Sequence, residues 1–130
     1  IVLAQAAIES GWGSSRFAQE YNALFGEYTY DNTKGVIPLE RENGETHLIK
    51  AFNSYNNSVE SYFNNINSHY AYEDFRHIRN IMRTRNNFSN VNLLVDRLST
   101  YAEDENYIKT IKQVIKSNNF SIFDQKTISY

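Results

Sequence analysis

Leu3-Ala4-Gln5-Ala6-Ala7-Ile8-Glu9-Ser10-Gly11-Trp12-Gly13 reads as a helix that its own sequence brings to a stop. Leu3 to Ile8 are mostly good helix formers, and the small alanines allow close packing. Gly11 and Gly13 end the helix, so Glu9 falls in its last turn. A carboxylate there faces the negative end of the helix dipole, which disfavours its charged form. Apolar neighbours add desolvation in the same direction. A carboxylic acid that keeps its proton near neutral pH is suited to protonating a leaving group. The plainer reading of the same pattern is a surface glutamate at a frayed helix end.

Outward from this stretch, Ser14 and Ser15 are positioned to cap a short helix running to about Tyr21, with Phe17 and Ala18 facing the core. Asn22 to Gly26 reads as a turn. From Glu27 to Phe52 the character changes, and Tyr28, Tyr30, Val36, Ile37, Leu48 and Ile49 favour strands. Asn43-Gly44 is a two-residue hairpin signal. The register it predicts places Leu39 opposite Leu48, Glu40 opposite His47, Arg41 opposite Thr46 and Glu42 opposite Glu45. Glu40, Glu42, Glu45 and His47 then share one face, and Pro38 marks an exposed edge strand.

The remainder is predicted to be helical. Val59, Tyr62, Phe63 and Ile66 form one apolar stripe, and Tyr72, Phe75, Ile78 and Met82 a second. Val91, Leu94, Val95 and Leu98 form a third. Tyr107, Ile108, Ile111, Val114 and Ile115 form a fourth, with Asp104 as the expected N-cap. Asn86 to Asn90 reads as a polar loop, and the tail after Ser117 has no clear period.

A chain of 130 residues with 41% hydrophobic content, ten Tyr and eight Phe reads as one globular domain spanning 1–130. Its net charge of −2 and the lack of a basic stripe argue against nucleic-acid binding. With no cysteine, disulfides and thiolate chemistry are excluded, whereas secretion is not. No apolar run is long enough to span a membrane. The chain opens inside a helix, so it reads as truncated at the N-terminus, its leader removed. His47, His69 and His77 lack metal-ligand spacing, so no metal site and no cofactor are expected.

Ala4 to Gly13, followed by Asn22-Ala23-Leu24-Phe25-Gly26, resembles the signature of the bacterial N-acetylglucosaminidases of glycoside hydrolase family 73. That family includes autolysins, flagellar rod-cap glucosaminidases and Bax-type proteins. The resemblance makes Glu9 the catalytic acid and places Trp12, Asn22, Phe25 and Gly26 at the substrate, the last of these runs closing the floor of the groove. Asn67 to Tyr72 with Phe75-Arg76 is similar to a run of the Bax-type members, although Tyr70 replaces their proline; it implies a substrate-binding place for Tyr72. Tyr101-Ala102-Glu103-Asp104-Glu105-Asn106-Tyr107 resembles the family's YATDPxY run, with Glu103 and Glu105 as departures expected in a first helical turn. It implies that Tyr101 and Tyr107 lie near the catalytic groove and that a tyrosine hydroxyl assists catalysis.

Glu40-Arg41-Glu42-Asn43-Gly44-Glu45 looks like a run of the flagellar members in which the first glutamate is the partner acid, which nominates Glu40, with Glu42 and Glu45 as fallbacks. The resemblance implies a lysozyme-like fold: mainly α within the α+β class, a helical domain with a small β-hairpin lobe and a groove beside it. It implies a monomeric peptidoglycan hydrolase, periplasmic or at the cell wall, that cuts after N-acetylglucosamine. A lytic transglycosylase or muramidase, and a non-catalytic wall-binding domain, are the competing readings.

Overall fold

The computed structural model describes residues 1–88 and 90–124. Among the described residues, six α-helices and three short strands follow one another: α1 Val2–Ser10, α2 Arg16–Tyr21, β1 Tyr28–Thr29, β2 Gly35–Val36, β3 Leu48–Lys50, α3 Tyr55–Ser68, α4 Glu73–Thr84, α5 Asn92–Val95 and α6 Tyr107–Ser117. Short 3-10 turns cover Tyr70–Tyr72 and Phe120–Phe123. The fold is the mainly helical α+β class expected from the sequence. Two compact units are present, one comprising Gln5–Asn65 and the other Ile1–Ala4 with the residues from Ile66 onward.

In the Gln5–Asn65 unit, α1 ends as its glycines require. The Trp12 amide donates to the Ala7 carbonyl at 2.8 Å and the Gly11 amide to Ile8 at 3.4 Å, the paired bonds of a Schellman cap. Gly11 takes the left-handed φ of 57° that such a cap demands. Helix α2 starts one turn later, where the Ser15 hydroxyl accepts from the Ala18 amide. Ala18 is buried, as expected, and Phe17 is half-buried.

The sheet departs from the expected hairpin. Its strand order is β1-β3-β2, and both neighbours run antiparallel to β3. Gly35 pairs with Lys50 and Val36 with Ile49, while Tyr28 also lies opposite Ile49. The Asn43-Gly44 turn does form, with the Glu45 amide donating to the Glu42 carbonyl at 3.2 Å, but no strand flanks it directly. Leu39, expected opposite Leu48, is 83% exposed, whereas Leu48 is buried. The physical reason is apolar content. Register follows the residues a sheet can bury, and Ile49 between Tyr28 and Val36 outweighs the charged stretch from Glu40 to Glu45. Pro38 therefore lies just past the edge strand β2, in a turn closed by the Arg41 amide on its carbonyl at 3.3 Å.

The first apolar stripe is also rotated. On α3, Tyr62 and Ile66 are buried and Val59 is half-buried, but Phe63 is exposed and Ser58 is buried instead. The face turned inward over Gln5–Asn65 is Ser58, Ser61 and Tyr62, an i, i+3, i+4 set that sequence hydrophobicity alone does not reveal.

In the other unit the expected stripes hold. Tyr72, Phe75 and Met82, then Leu94, Val95 and Leu98, then Tyr107, Ile111 and Ile115 are buried. Two details differ. The third stripe is one turn of helix rather than a full helix, and Tyr72 belongs to the 3-10 turn that leads into α4. The N-cap position of α6 is Asn106, not Asp104. Asp104 closes the preceding turn, its side chain accepting from the Asn106 amide at 2.8 Å and its carbonyl from Tyr107 at 3.0 Å. Glu103 and Glu105 accordingly lie before the helix rather than in its first turn. The Asn86–Asn90 stretch is irregular in all its described residues; Ser89 and the end of the tail, 125–130, lie outside them.

Candidate active site

Glu9 occupies the last turn of α1 and is half-buried. The segment that follows is fixed from several directions. Buried Ser10 donates its hydroxyl to the Ala6 carbonyl at 2.5 Å and accepts from the Gly13 amide at 2.9 Å. The Ser15 amide donates to the Ser10 carbonyl at 3.0 Å, and the Ser14 hydroxyl to Gly11 at 2.5 Å. Trp12 is held at a φ of 56°, a conformation that a bulky residue rarely adopts, and its side chain is 63% exposed. Strain of this kind persists only where surrounding bonds impose it, and it recurs at functional sites.

The Asn22–Gly26 turn packs against the same carboxylate. A Cβ placed on Gly26 would lie 2.6 Å from Glu9 Oε2 and 3.5 Å from its Cδ, so only glycine admits this approach. Gly26 also has a left-handed φ of 63°. The turn is anchored along α3 and at Phe52. The Asn22 side-chain amide donates to the Phe52 carbonyl at 3.0 Å, and the Leu24 amide to Ser58 Oγ at 3.1 Å. Buried Phe25 stacks on Tyr62 with ring centroids 4.2 Å apart. Tyr62 in turn donates its hydroxyl to Gln5 Oε1, one helical turn before Glu9 on α1. Contacts thus lead from Gln5, one turn before Glu9 on α1, to Tyr62 and on to Phe25, whose chain neighbour Gly26 lies against Glu9. Among the residues expected at this site, Phe25 and Gly26 are brought to Glu9 in this way, and Asn22 opens the same turn with its side chain on Phe52.

Glu27 follows Gly26 and was not singled out from the sequence. Its side chain is only 12% exposed. Oε2 accepts from the Ser61 hydroxyl at 2.7 Å and lies 4.0 Å from Lys50 Nζ. Oε1 is buried without a hydrogen-bond partner. Burial pushes the Glu27 carboxyl above its ordinary range, with Ser61 and Lys50 opposing that shift in part.

Glu40 stands differently. It is exposed in the turn after Pro38 and does not face His47. His47 stacks on Tyr28 at 4.3 Å, and its Nδ1 lies 3.8 Å from Glu45 Oε2. Glu45 also accepts from the Glu42 amide at 3.1 Å, so the two residues expected to face each other across the hairpin are joined by a turn bond. Among the described residues no three His, Cys, Asp or Glu side chains cluster as metal ligands. No helix among them is long and apolar enough to cross a membrane.

In the other unit, Tyr72, Tyr101 and Tyr107 come together. Tyr101 lies parallel to Tyr107, centroids 5.9 Å apart, and 6.1 Å from Tyr72. Tyr72 and Tyr107 are buried, and Tyr101 is half-buried. The turn at Asp104 and the turn from Leu98, whose carbonyl accepts from the Tyr101 amide at 3.0 Å, set this spacing. Upstream, Arg76 donates to the Ile66 and His69 carbonyls at 2.9 Å each, fixing the entry to Tyr72.

The chain as a whole is similar to known proteins. The protein Bax of Escherichia coli K12 is 31% identical over 102 residues, covering 78% of this chain and 35% of Bax. The peptidoglycan hydrolase FlgJ of Escherichia coli K12 is 41% identical over 71 residues, covering 47% of this chain and 22% of FlgJ. This chain therefore spans about a third of one relative's length and about a fifth of the other's. The catalytic domain of the autolysin Auto from Listeria monocytogenes shares the fold, with a TM-score of 0.67 over 94% of this chain and 72% of that one, at 22% identity. Residues 1–120, which carry both the Glu9 contacts and the tyrosine cluster, match the family model described as mannosyl-glycoprotein endo-beta-N-acetylglucosaminidase, and the chain belongs to this glucosaminidase family of glycoside hydrolases.

Proposed function

We propose that this chain hydrolyses peptidoglycan at the β-1,4 bond after N-acetylglucosamine, with Glu9 as general acid and then general base. The observation that carries the reading is the placement of Glu9 at the closing end of α1 with Gly26 against its carboxylate. The helix end disfavours a negative charge there, and the contacts through Tyr62 and Phe25 hold the side chain's surroundings fixed. Glu9 gives its proton to the glycosidic oxygen as the bond breaks, then takes one from the attacking water. FlgJ, named a peptidoglycan hydrolase, supports the substrate class.

The positive charge developing at the sugar carbon needs a second group. A hairpin carboxylate, Glu40 first and Glu42 or Glu45 after it, supplies one route, whose stereochemical outcome follows from its separation from Glu9. The 2-acetamido group of the substrate supplies the other. We favour the second, with Tyr101 or Tyr107 hydrogen-bonding the acetamido group, because Glu40 sits exposed in a turn and no hydrogen bond or ion pair among the described residues orients it. Trp12, whose side chain is exposed, contributes binding surface for a sugar ring, and buried Tyr72 serves the substrate by packing beside Tyr101. The site of action is the cell wall, outside the cytoplasmic membrane.

Borohydride reduction of the digested wall tests this assignment. New N-acetylglucosaminitol ends are expected. N-acetylmuramitol ends would make the chain a muramidase, 1,6-anhydro ends a lytic transglycosylase, and no new ends a wall-binding domain.

A further inference from the structure

We infer that Glu27 is a positioning residue for Glu9: together with Ser61 and Lys50 it pins the far side of Gly26, the glycine against which the Glu9 carboxylate rests. The inference builds on Glu9 as the acid.

Gly26 is a pivot between two anchored neighbours. Before it, Asn22, Leu24 and Phe25 are fastened to Phe52, Ser58 and Tyr62. After it, the Glu27 carbonyl accepts from the Lys50 amide at 2.8 Å, and its carboxylate accepts from Ser61 on α3 at 2.7 Å. Lys50 Nζ closes the triangle, donating to Ser61 Oγ at 2.9 Å. Ser58, Ser61 and Tyr62 thus grip Leu24, Glu27 and Phe25 from one face of α3. A glycine tolerates more backbone conformations than any other residue, so releasing one flank frees Gly26 to swing away from Glu9.

Stability does not account for this arrangement. A carboxylate with one buried, unpartnered oxygen is costly, and its Lys50 partner, 4.0 Å away with a side chain 32% exposed, offsets little of that cost. A geometric role accounts for it: the charged triangle defines one position for residue 27, and displacements of about 1 Å near reacting groups can cost about a hundredfold in rate.

The test uses the purified chain acting on soluble glycan-strand fragments, with kcat, KM and Tm measured for each variant. Glu27→Leu combined with Lys50→Met removes the charged triangle while keeping bulk. The expected result is a Tm equal to or above the wild-type value, KM within about threefold, and kcat lower by about ten- to a hundredfold. Adding Ser61→Ala should lower kcat little further, since the three side chains act as one unit. If the double variant fails to fold, Ser61→Ala, which removes the hydroxyl bound by both Glu27 and Lys50, is judged by the same fall in kcat. A kcat within about twofold of wild type overturns the inference, and so does a loss confined to KM, which would make Glu27 a substrate contact. Glu9→Gln is assayed alongside. An active Glu9→Gln overturns the catalytic reading itself, whereas an inactive Glu9→Gln beside a fully active Glu27 variant overturns only the role given to Glu27.

Discussion

The two carboxylates that the sequence nominates, Glu9 and Glu40, belong to the same compact unit and are held in opposite ways. Glu9 ends a capped helix, follows a buried glutamine by one turn and has Gly26 against it. Its neighbours are tied by bonds to Ser10, Ser58 and Tyr62. Glu40 stands in an exposed turn between Pro38 and Arg41, beyond the end of β2. The contrast teaches that a motif match nominates a residue type, whereas a catalytic acid also needs a backbone that leaves it one place to be.

The largest effect is expected at Glu9. Glu9→Gln keeps the shape and removes the transferable proton, so kcat/KM for wall hydrolysis should fall by about a hundredfold or more with Tm nearly unchanged. Retention of more than about a tenth of the activity would remove Glu9 from the mechanism.

Next comes its seat. Gly26→Ala adds a methyl 2.6 Å from Glu9 Oε2 at a residue with φ of 63°. The backbone cost alone is about 1–2 kcal/mol. A fall in kcat of about tenfold, larger than the change in KM, is expected, together with a lower Tm. Full activity at a lowered Tm would show that Gly26 serves the fold and not the acid.

Smaller still are the hairpin carboxylates. Glu40→Gln should lower kcat/KM by less than about tenfold, and Glu42→Gln and Glu45→Gln by less than that, consistent with charge near a substrate rather than participation in bond breaking. A loss at Glu40 approaching that at Glu9 would restore the two-carboxylate route. The Glu45 carboxylate accepts from the Glu42 amide and lies near His47, so its variant should show the larger Tm change of the fallback pair.

The smallest effect is a pH dependence of stability. Burial raises the Glu27 carboxyl above its ordinary value of 4.5, so the folded state holds that proton more tightly than the unfolded chain. The stabilisation this contributes is fully present below the unfolded value and is lost as pH rises through the folded one. Glu27→Gln removes that dependence. The difference in Tm, variant minus wild type, should therefore grow more positive between about pH 4 and pH 8. A flat difference would show that Ser61 and Lys50 fully offset the burial.

What the sequence makes legible follows from how local each signal is. The stop at Gly11, the cap at Ser15 and the stripe of α6 depend on residues within one or two turns of one another, and all are found. The strand register depends on a partner far along the chain. Asn43-Gly44 specifies a turn and nothing about which strands follow, and Ile49 settled between Tyr28 and Val36 instead of extending the hairpin. Glu27 was invisible for a related reason. A glutamate after a glycine reads as loop, and its burial depends on Ser61, thirty-four residues away. The one available signal was the pair of serines at 58 and 61 on the same face as Tyr62, which a search for apolar stripes passes over. Glu9 and the tyrosines were legible because fixed runs of residues carry them, and the fold brings each group's members together.

The central claim is that Glu9 delivers the proton to the leaving oxygen. It is tested most directly by a series of aryl β-glycosides of N-acetylglucosamine oligomers whose leaving groups differ in basicity, hydrolysed by wild type and by Glu9→Gln. Loss of a general acid should hurt poor leaving groups most, so the variant should be slower by about a hundredfold on the most basic aryl oxide and recover much of the wild-type rate on a nitrophenolate that leaves without a proton. An equal loss across the whole series would contradict the account and assign Glu9 a role in binding or folding.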